Sequence, residues 1–191
     1  MLAKAVAALD QADSAVPALL QPQLHRQLAE VRSLTEQMAE VERQIASWKR
    51  GQEECERIAA IPGVGLLTAT AAVATMGEAR TFRSGRQFAA YLGLVPRQTG
   101  TGGRVQLLGI SKRGDTYLRT LLIHGARSVL THGDAAADPN SWLGRLLQRR
   151  PKNVAAVALA NKMARQIWAI VAHERTYEPN YGLPQITATL A

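Results

Sequence analysis

Apolar residues recur at helical intervals in several stretches, and the interval differs from one stretch to the next. From Leu24 they fall at Val31, Leu34, Met38, Val41, Ile45 and Trp48, in alternating steps of three and four among charged and amide residues. That is a heptad seam, and Gly51 supplies a stop. The seam suits either an arm pairing with another helix, in a hairpin or a dimer, or a helix docked on the chain's own core. The reading divides the chain into a lead-in over 1–21, Ala-rich and interrupted by Pro17, and a heptad helix over 22–50. A helical domain over 52–178 and a tail over 179–191 follow.

Within 52–178 the punctuation is clear. Residues 52–77 read as two short helical patterns around Pro62-Gly63-Val64-Gly65. Ser84 followed by Gln87 offers a capping box for a helix through Phe88, Ala89 and Leu92. Residues 93–110 are rich in Gly with short β-prone flanks, which predicts a loop or small hairpin. Asp115 can cap a helix through Tyr117, Leu118, Leu121, Leu122 and Ala126 to about Leu130. Asn153, after Pro151, can start another whose covered side holds Val154, Val157, Ala158, Met163, Ile167, Trp168 and Val171. No regular alternation of strands and helices appears, so the expected fold class is mainly α: a coiled-coil-like helix, then a compact helical domain.

Composition narrows the function classes. The 191 residues are 47% hydrophobic and 20% charged, an ordinary globular mixture. A single cysteine, Cys55, excludes an internal disulfide and a thiolate metal cluster, and the four histidines show no metal-ligand spacing. No uninterrupted apolar run nears the ~18 residues of a membrane span, and the opening residues lack the pattern of a signal peptide. The expectation is a cytoplasmic protein with no membrane partner. Charge adds more. Residues 1–58 carry 7 basic and 9 acidic groups, whereas residues 59–191 carry 16 basic and 6 acidic groups, a net of +10. A half so cationic is the footprint of a polyanion binder, and a nucleic acid is the expected partner.

The Ile61 to Gly65 turn, framed by Ile58, Leu66, Thr68, Ala69, Ala72 and Val73, is similar to a helix-hairpin-helix motif. Bare backbone N–H groups and positive-φ freedom at Gly63 and Gly65 suit a phosphate, with Thr68 on the following helix. An ordinary glycine-containing helix connection is the competing reading. Basic residues follow at Arg80, Arg83, Arg86, Arg97, Arg104, Lys112, Arg113 and Arg119, on no single helix face, as expected of loops and helix starts converging on a nucleic acid. Gly102 and Gly103 join the candidate contacts. Ser111 reads as a turn residue, His124 as a packed core histidine, Trp142 and Trp168 as core or docking residues. The run Arg145, Arg149, Arg150 and Lys152 suits either a nucleic-acid contact or, as is usual for such a run, a solvated patch. The stretch Pro96 to Arg104 lacks the Gly-x-x-x-x-Gly-Lys-Ser/Thr of a nucleotide phosphate loop.

Four collinear motifs carry a family resemblance: IPGVG at 61–65, the run from Arg86 to Pro96, TGTGGR at 99–104, and GISKRGDTYLRTLLIHGAR at 109–127. Over residues 24 to about 178 the chain resembles the C-terminal domain of the insertion-sequence one-ten transposases, particularly their eleven-eleven branch, relatives of the Piv-type DNA invertases. The resemblance implies a recombinase that joins a RuvC-like nuclease domain with four acidic metal ligands to a domain bearing a serine nucleophile. It also implies a bridge RNA as partner, and a multimer assembled partly through the coiled helices. The serine position falls on Thr101, followed by Gly102, so the candidate nucleophile is a threonine hydroxyl whose extra methyl crowds the approach. The nuclease half is expected outside this chain, and with it the divalent metal; no cofactor is expected in the chain itself. The reading is the DNA-binding C-terminal portion of a DNA transposase, inactive alone, with a homo-oligomer or the nuclease half meeting it through the heptad helix. A non-catalytic helix-hairpin-helix binding module is the alternative, and a purely structural dimer a third.

Overall fold

The computed structural model describes residues 7–9, 16–101 and 104–179. The chain divides into two compact units, Met1–Trp48 and Lys49–Ala191.

The first unit is dominated by α1, Gln21–Lys49, a 29-residue helix that begins after a turn in which the Leu20 N–H donates to the Pro17 carbonyl. No residue of α1 is buried. Its surface is laced by neighbours one turn apart: Gln37 Nε2 donates to Ser33 Oγ, Gln44 Nε2 to Glu40 Oε1, and Arg43 pairs with Glu40. Such pairs add only a few tenths of a kcal/mol each. The seam Val31, Leu34, Met38 and Val41 lies exposed, Met38 by 64%.

The second unit is mainly helical, as the pattern predicts. It comprises α2 (Glu53–Ala59), α3 (Leu66–Met76), a single 3₁₀ turn (Ala79–Thr81), α4 (Gly85–Tyr91), β1 (Pro96–Thr101), β2 (Arg104–Ile110), α5 (Thr116–His132), α6 (Asp134–Ala137), α7 (Trp142–Leu147) and α8 (Lys152–Ala172). Glu53, Glu54 and Glu56 in the first turn of α2 complement its positive end. Glu56 also meets Lys49 at 2.8 Å, and Glu53 meets Arg57 at 2.7 Å. The expected caps form. Ser84 Oγ accepts from the Gln87 N–H at the head of α4, and Asp115 Oδ1 from the Leu118 N–H at 2.8 Å at the head of α5.

α8 is the axis of the core, with α2, α4, α5, α7 and the 3₁₀ turn packed against it. Its inward side is Ala155, Ala156, Ala160, Met163, Ala164, Ile167 and Ile170. Small side chains there let neighbouring helices approach closely, and Phe88, Ile58, Leu92, Leu118 and Leu122 fill the space around them. Each large side chain so covered contributes about 1.5–3 kcal/mol. The predicted leading residue of this side, Val154, lies outside it and is exposed. α8 is long and apolar enough to cross a membrane by length and composition alone, and half of that window is buried in this core.

Side chains tie distant loops to the helices. Trp168 Nε1 donates to the Ala79 carbonyl and Asn161 Nδ2 to the Leu94 carbonyl, each at 3.0 Å. Thr75 Oγ1, near the end of α3, donates to Asp115 Oδ2 at the start of α5. At the other end of this pair Gly63, with φ +86°, presses on Gly125 of α5: a Cβ on Gly63 would lie 2.7 Å from the Gly125 carbonyl oxygen. α3 and α5 therefore run antiparallel, held at both ends. Gly65 meets nothing comparable, since a Cβ there would reach open space.

Cys55 is fully buried, its Sγ 3.9 Å from the Ala69 carbonyl. Burial pushes its thiol pKa up, and the Glu54 carboxylate adds to the shift.

Two expectations follow. Gly63→Ala and Gly125→Ala each destabilise the domain by about 1–3 kcal/mol in chemical denaturation, through forced backbone separation and, at Gly63, an unfavourable φ, whereas Gly65→Ala costs under about 1 kcal/mol. Because the fold raises the Cys55 pKa, its stabilising contribution is fully present below the ordinary thiol value of about 8.5 and is lost as pH rises through the folded value. Denaturation curves should therefore show a smaller alkaline loss of stability in Cys55→Ala than in the parent, and Cys55 should resist thiol reagents until the domain unfolds.

Candidate nucleic-acid interface

The glycine-rich stretch forms a two-stranded antiparallel ribbon. Gln98 pairs with Leu107, Thr99 with Gln106, Gly100 with Val105 and Thr101 with Arg104, while Pro96 pairs with Ile110. Between these pairs Leu108 and Gly109 together oppose the single Arg97, a bulge that increases the local twist. Pro96, Arg97, Gln98, Thr99 and Gly100 are all exposed, as are Arg104, Gln106, Leu108 and Gly109. Successive strand residues point to opposite sides, so both faces of the ribbon are open.

The base of the ribbon is held firmly. The Ser111 N–H donates to the Val95 carbonyl at 2.8 Å and the Lys112 N–H to the Gly93 carbonyl at 3.1 Å. Ser111 Oγ accepts from the Arg113 N–H, the turn role expected of it. Gly114, at φ +96°, lies so close to the Tyr91 carbonyl that any Cβ would collide with it. Between these contacts Lys112 adopts φ 56°, a left-handed conformation that costs a non-glycine residue about 1–2 kcal/mol. The surrounding bonds over-determine the loop, and Lys112 and Arg113 stand exposed beside the base of β1 and β2, near Arg97.

The predicted set divides. Arg97, Lys112 and Arg113 gather at the ribbon base, and Arg104 lies toward its far end, about 20 Å away at the rise of a strand. Arg80, Arg83 and Arg86 are exposed on the 3₁₀ turn, the segment after it and α4. The glycine turn is not brought into this group. Gly63 touches α5 ten residues beyond Asp115, about 15 Å along that helix at 1.5 Å per residue. Packing on Gly125 accounts for the glycine at 63. The exposed one is Gly65, which precedes α3 with no side-chain cap on that helix.

Two candidate contacts prove internal. Arg119 is 8% exposed, and its guanidinium donates to the Leu92 carbonyl and Thr116 Oγ1 at 3.0 Å and to the Asp115 carbonyl at 3.5 Å. It joins the end of α4 to the start of α5. Thr68 is 6% exposed and faces the core. Helical spacing carried both signals: Arg119 stands three and seven residues before buried Leu122 and Ala126, Thr68 four before buried Ala72. His124, expected in the core, is exposed on α5, because the inward side passes through Leu122 and Ala126. Trp142 is also on the surface, 40% exposed. Gly102, Gly103 and the side chain of Thr101 lie outside the described residues; the Thr101 backbone sits opposite Arg104.

Among the described residues no three His, Cys, Asp or Glu side chains gather in a group able to hold a metal ion. Nor does Arg97, Arg104, Lys112 or Arg113 enter an ion pair there.

A family model described as "Transposase IS116/IS110/IS902 family" matches residues 55–139. A probable family 20 transposase of Pseudomonas aeruginosa is 55% identical over 151 residues, covering 78% of this chain and 45% of that protein. The transposase for insertion sequence element IS1111A of Coxiella burnetii is 44% identical over 163 residues, covering 83% and 45%. The transposase for insertion sequence element IS1328 of Yersinia enterocolitica is 41% identical over 138 residues, covering 72% and 41%. The chain spans somewhat under half the length of these relatives.

Replacing Arg119 by Leu leaves the Leu92 carbonyl without its charged donor. The expected loss is about 1–3 kcal/mol in denaturation, with no direct change in charge-dependent nucleic-acid affinity while the protein stays folded.

Proposed function

This chain belongs, through residues 55–139, to the Transposase IS116/IS110/IS902 family, and we propose that it acts in DNA transposition as a nucleic-acid-binding component. The observation that carries the proposal is the open ribbon, with Arg97, Lys112 and Arg113 at its base and Arg104 toward its end, four exposed cations in no ion pair among the described residues. Phosphates supply the missing counter-charge, and a two-stranded ribbon fits the major groove. Contacts of this kind position a strand more than they select its sequence. The exposed, uncapped start of α3 at Gly65 is a further candidate phosphate contact at the far end of the α3–α5 pair.

The DNA partner is what the names of the relatives suggest, and a bridge RNA shares the same phosphodiester chemistry. The Thr101 hydroxyl keeps the nucleophile's place that the resemblance gives it, and it would act only beside a metal-bearing nuclease half. α1, with its uncovered apolar seam, is the segment through which a second copy or that half would assemble.

Fluorescence anisotropy with a labelled duplex across a salt series tests the binding role. Four phosphate contacts predict a drop in affinity of about a hundredfold between 50 and 200 mM salt. Replacing Arg97, Arg104, Lys112 and Arg113 together by Gln should flatten the slope of log K on log salt by roughly 3 to 4. Gly65→Ala should weaken binding modestly with the fold intact. A salt-independent affinity, or one untouched by the four substitutions, would remove the ribbon from the interface.

A further inference from the structure

We infer that the corner between α7 and α8, beyond the residues matched by the family model, is a second contact for a nucleic-acid strand. The inference rests on the nucleic-acid reading above but on different residues. Between Asp138 and Glu174 the sequence contains no acidic residue, while Arg145, Arg149, Arg150, Lys152, Lys162 and Arg165 all fall there. Folding concentrates the first four. The N–H groups of Arg149 and Arg150 both donate to the Leu146 carbonyl, at 3.1 and 2.9 Å, closing a tight turn directly after α7, and Lys152 opens α8 immediately afterwards. Arg149 Nε donates back to the Arg145 carbonyl at 3.1 Å, which holds that side chain along the corner.

All four side chains are exposed, and among the described residues none enters an ion pair. Like charges are thereby crowded onto one bend, and Lys152 stands at the positive end of a 21-residue helix whose first turn holds no acid. This arrangement is unfavourable in the free protein and favourable against a line of phosphates. Trp142 adds a second kind of contact. It begins α7, it is 40% exposed, and Lys162 Nζ lies 4.8 Å from its ring centroid, which fixes the indole from the side of α8. An exposed aromatic beside a cationic track is the combination that binds unpaired bases by stacking and the backbone by charge. Apolar α7 residues are not offered to a membrane: Leu143 and Gly144 are buried, and Leu146 and Leu147 are half-buried.

The test is anisotropy with labelled duplex and single-stranded DNA over a salt series, using the whole chain. Replacing Arg145, Arg149 and Arg150 together by Gln should lower the salt slope by roughly 2 to 3 without shifting the thermal midpoint, because all three are exposed. The corresponding triple Lys variant should retain the slope. Trp142→Leu should weaken single-strand binding by about five- to a hundredfold and duplex binding far less. If the triple Gln variant binds as the parent does while the ribbon variants lose binding, the corner is overturned and the ribbon stands. If the ribbon variants bind normally and the corner variants do not, the ribbon falls and the corner stands. Anionic phosphatidylserine vesicles provide the last arm. Vesicle binding that the triple Gln substitution abolishes, with DNA binding unchanged, assigns the corner to a lipid surface and overturns the inference.

Discussion

The approach of Gly63 to Gly125, where neither backbone tolerates a Cβ, sets how the second unit is built. It fixes one end of α3 against α5, and the Thr75 to Asp115 hydrogen bond fixes the other. With the two helices clamped antiparallel, everything attached to the start of α5 lies at the far end from the glycine turn. The ribbon, the Lys112–Arg113 loop and the Arg119 bonds to the end of α4 are all attached there. A turn whose composition suggests a phosphate grip thus spends its tightest glycine on internal packing. The open chemistry is displaced to the other end of the helix pair.

That displacement explains the ribbon's construction. Two strands with both faces in solvent bury little and are marginally stable by themselves. This ribbon is instead supported from below, by the Val95 and Gly93 carbonyls, by the buried Leu94 whose carbonyl receives Asn161, and by a loop that forces Lys112 into a left-handed backbone. Rigidity at the base and openness along the strands suit an element that meets a partner, because an ordered mount reduces the entropy lost on binding.

Local signals in the sequence were strong wherever a feature depends on near neighbours. The caps at Ser84 and Asp115, the helices around Pro62 to Gly65, the hairpin in 93–110 and the mainly α class all rest on spacings of a few residues. What stayed illegible depends on partners far along the chain. Gly125 as the reason for Gly63, Leu92 as the acceptor for Arg119, and Ala79 as the acceptor for Trp168 lie 27 to 89 residues from their counterparts. Sequence periodicity also ranks large apolar residues above alanine. It therefore placed Val154 and Val157 on the covered side of α8, where close helix approach selects Ala155, Ala156 and Ala160. For Arg119 and Thr68 the spacing did point inward, and the chemistry of the side chain drew the reading outward.

The charge imbalance acquires a physical meaning from the way the few acids are used. Of the 6 acidic residues after position 58, Asp115 caps α5 and receives Thr75, and Asp138 receives the Asn140 N–H. Among the described residues these two carboxylates satisfy backbone and hydroxyl donors and enter no ion pair. Arg119 similarly satisfies carbonyls. Folding in this half therefore draws on charged groups for hydrogen bonds and leaves the exposed cations at the ribbon base and the α7–α8 corner outside its own electrostatic balance. Their removal should disturb the fold little, and an anion from outside would relieve their mutual repulsion.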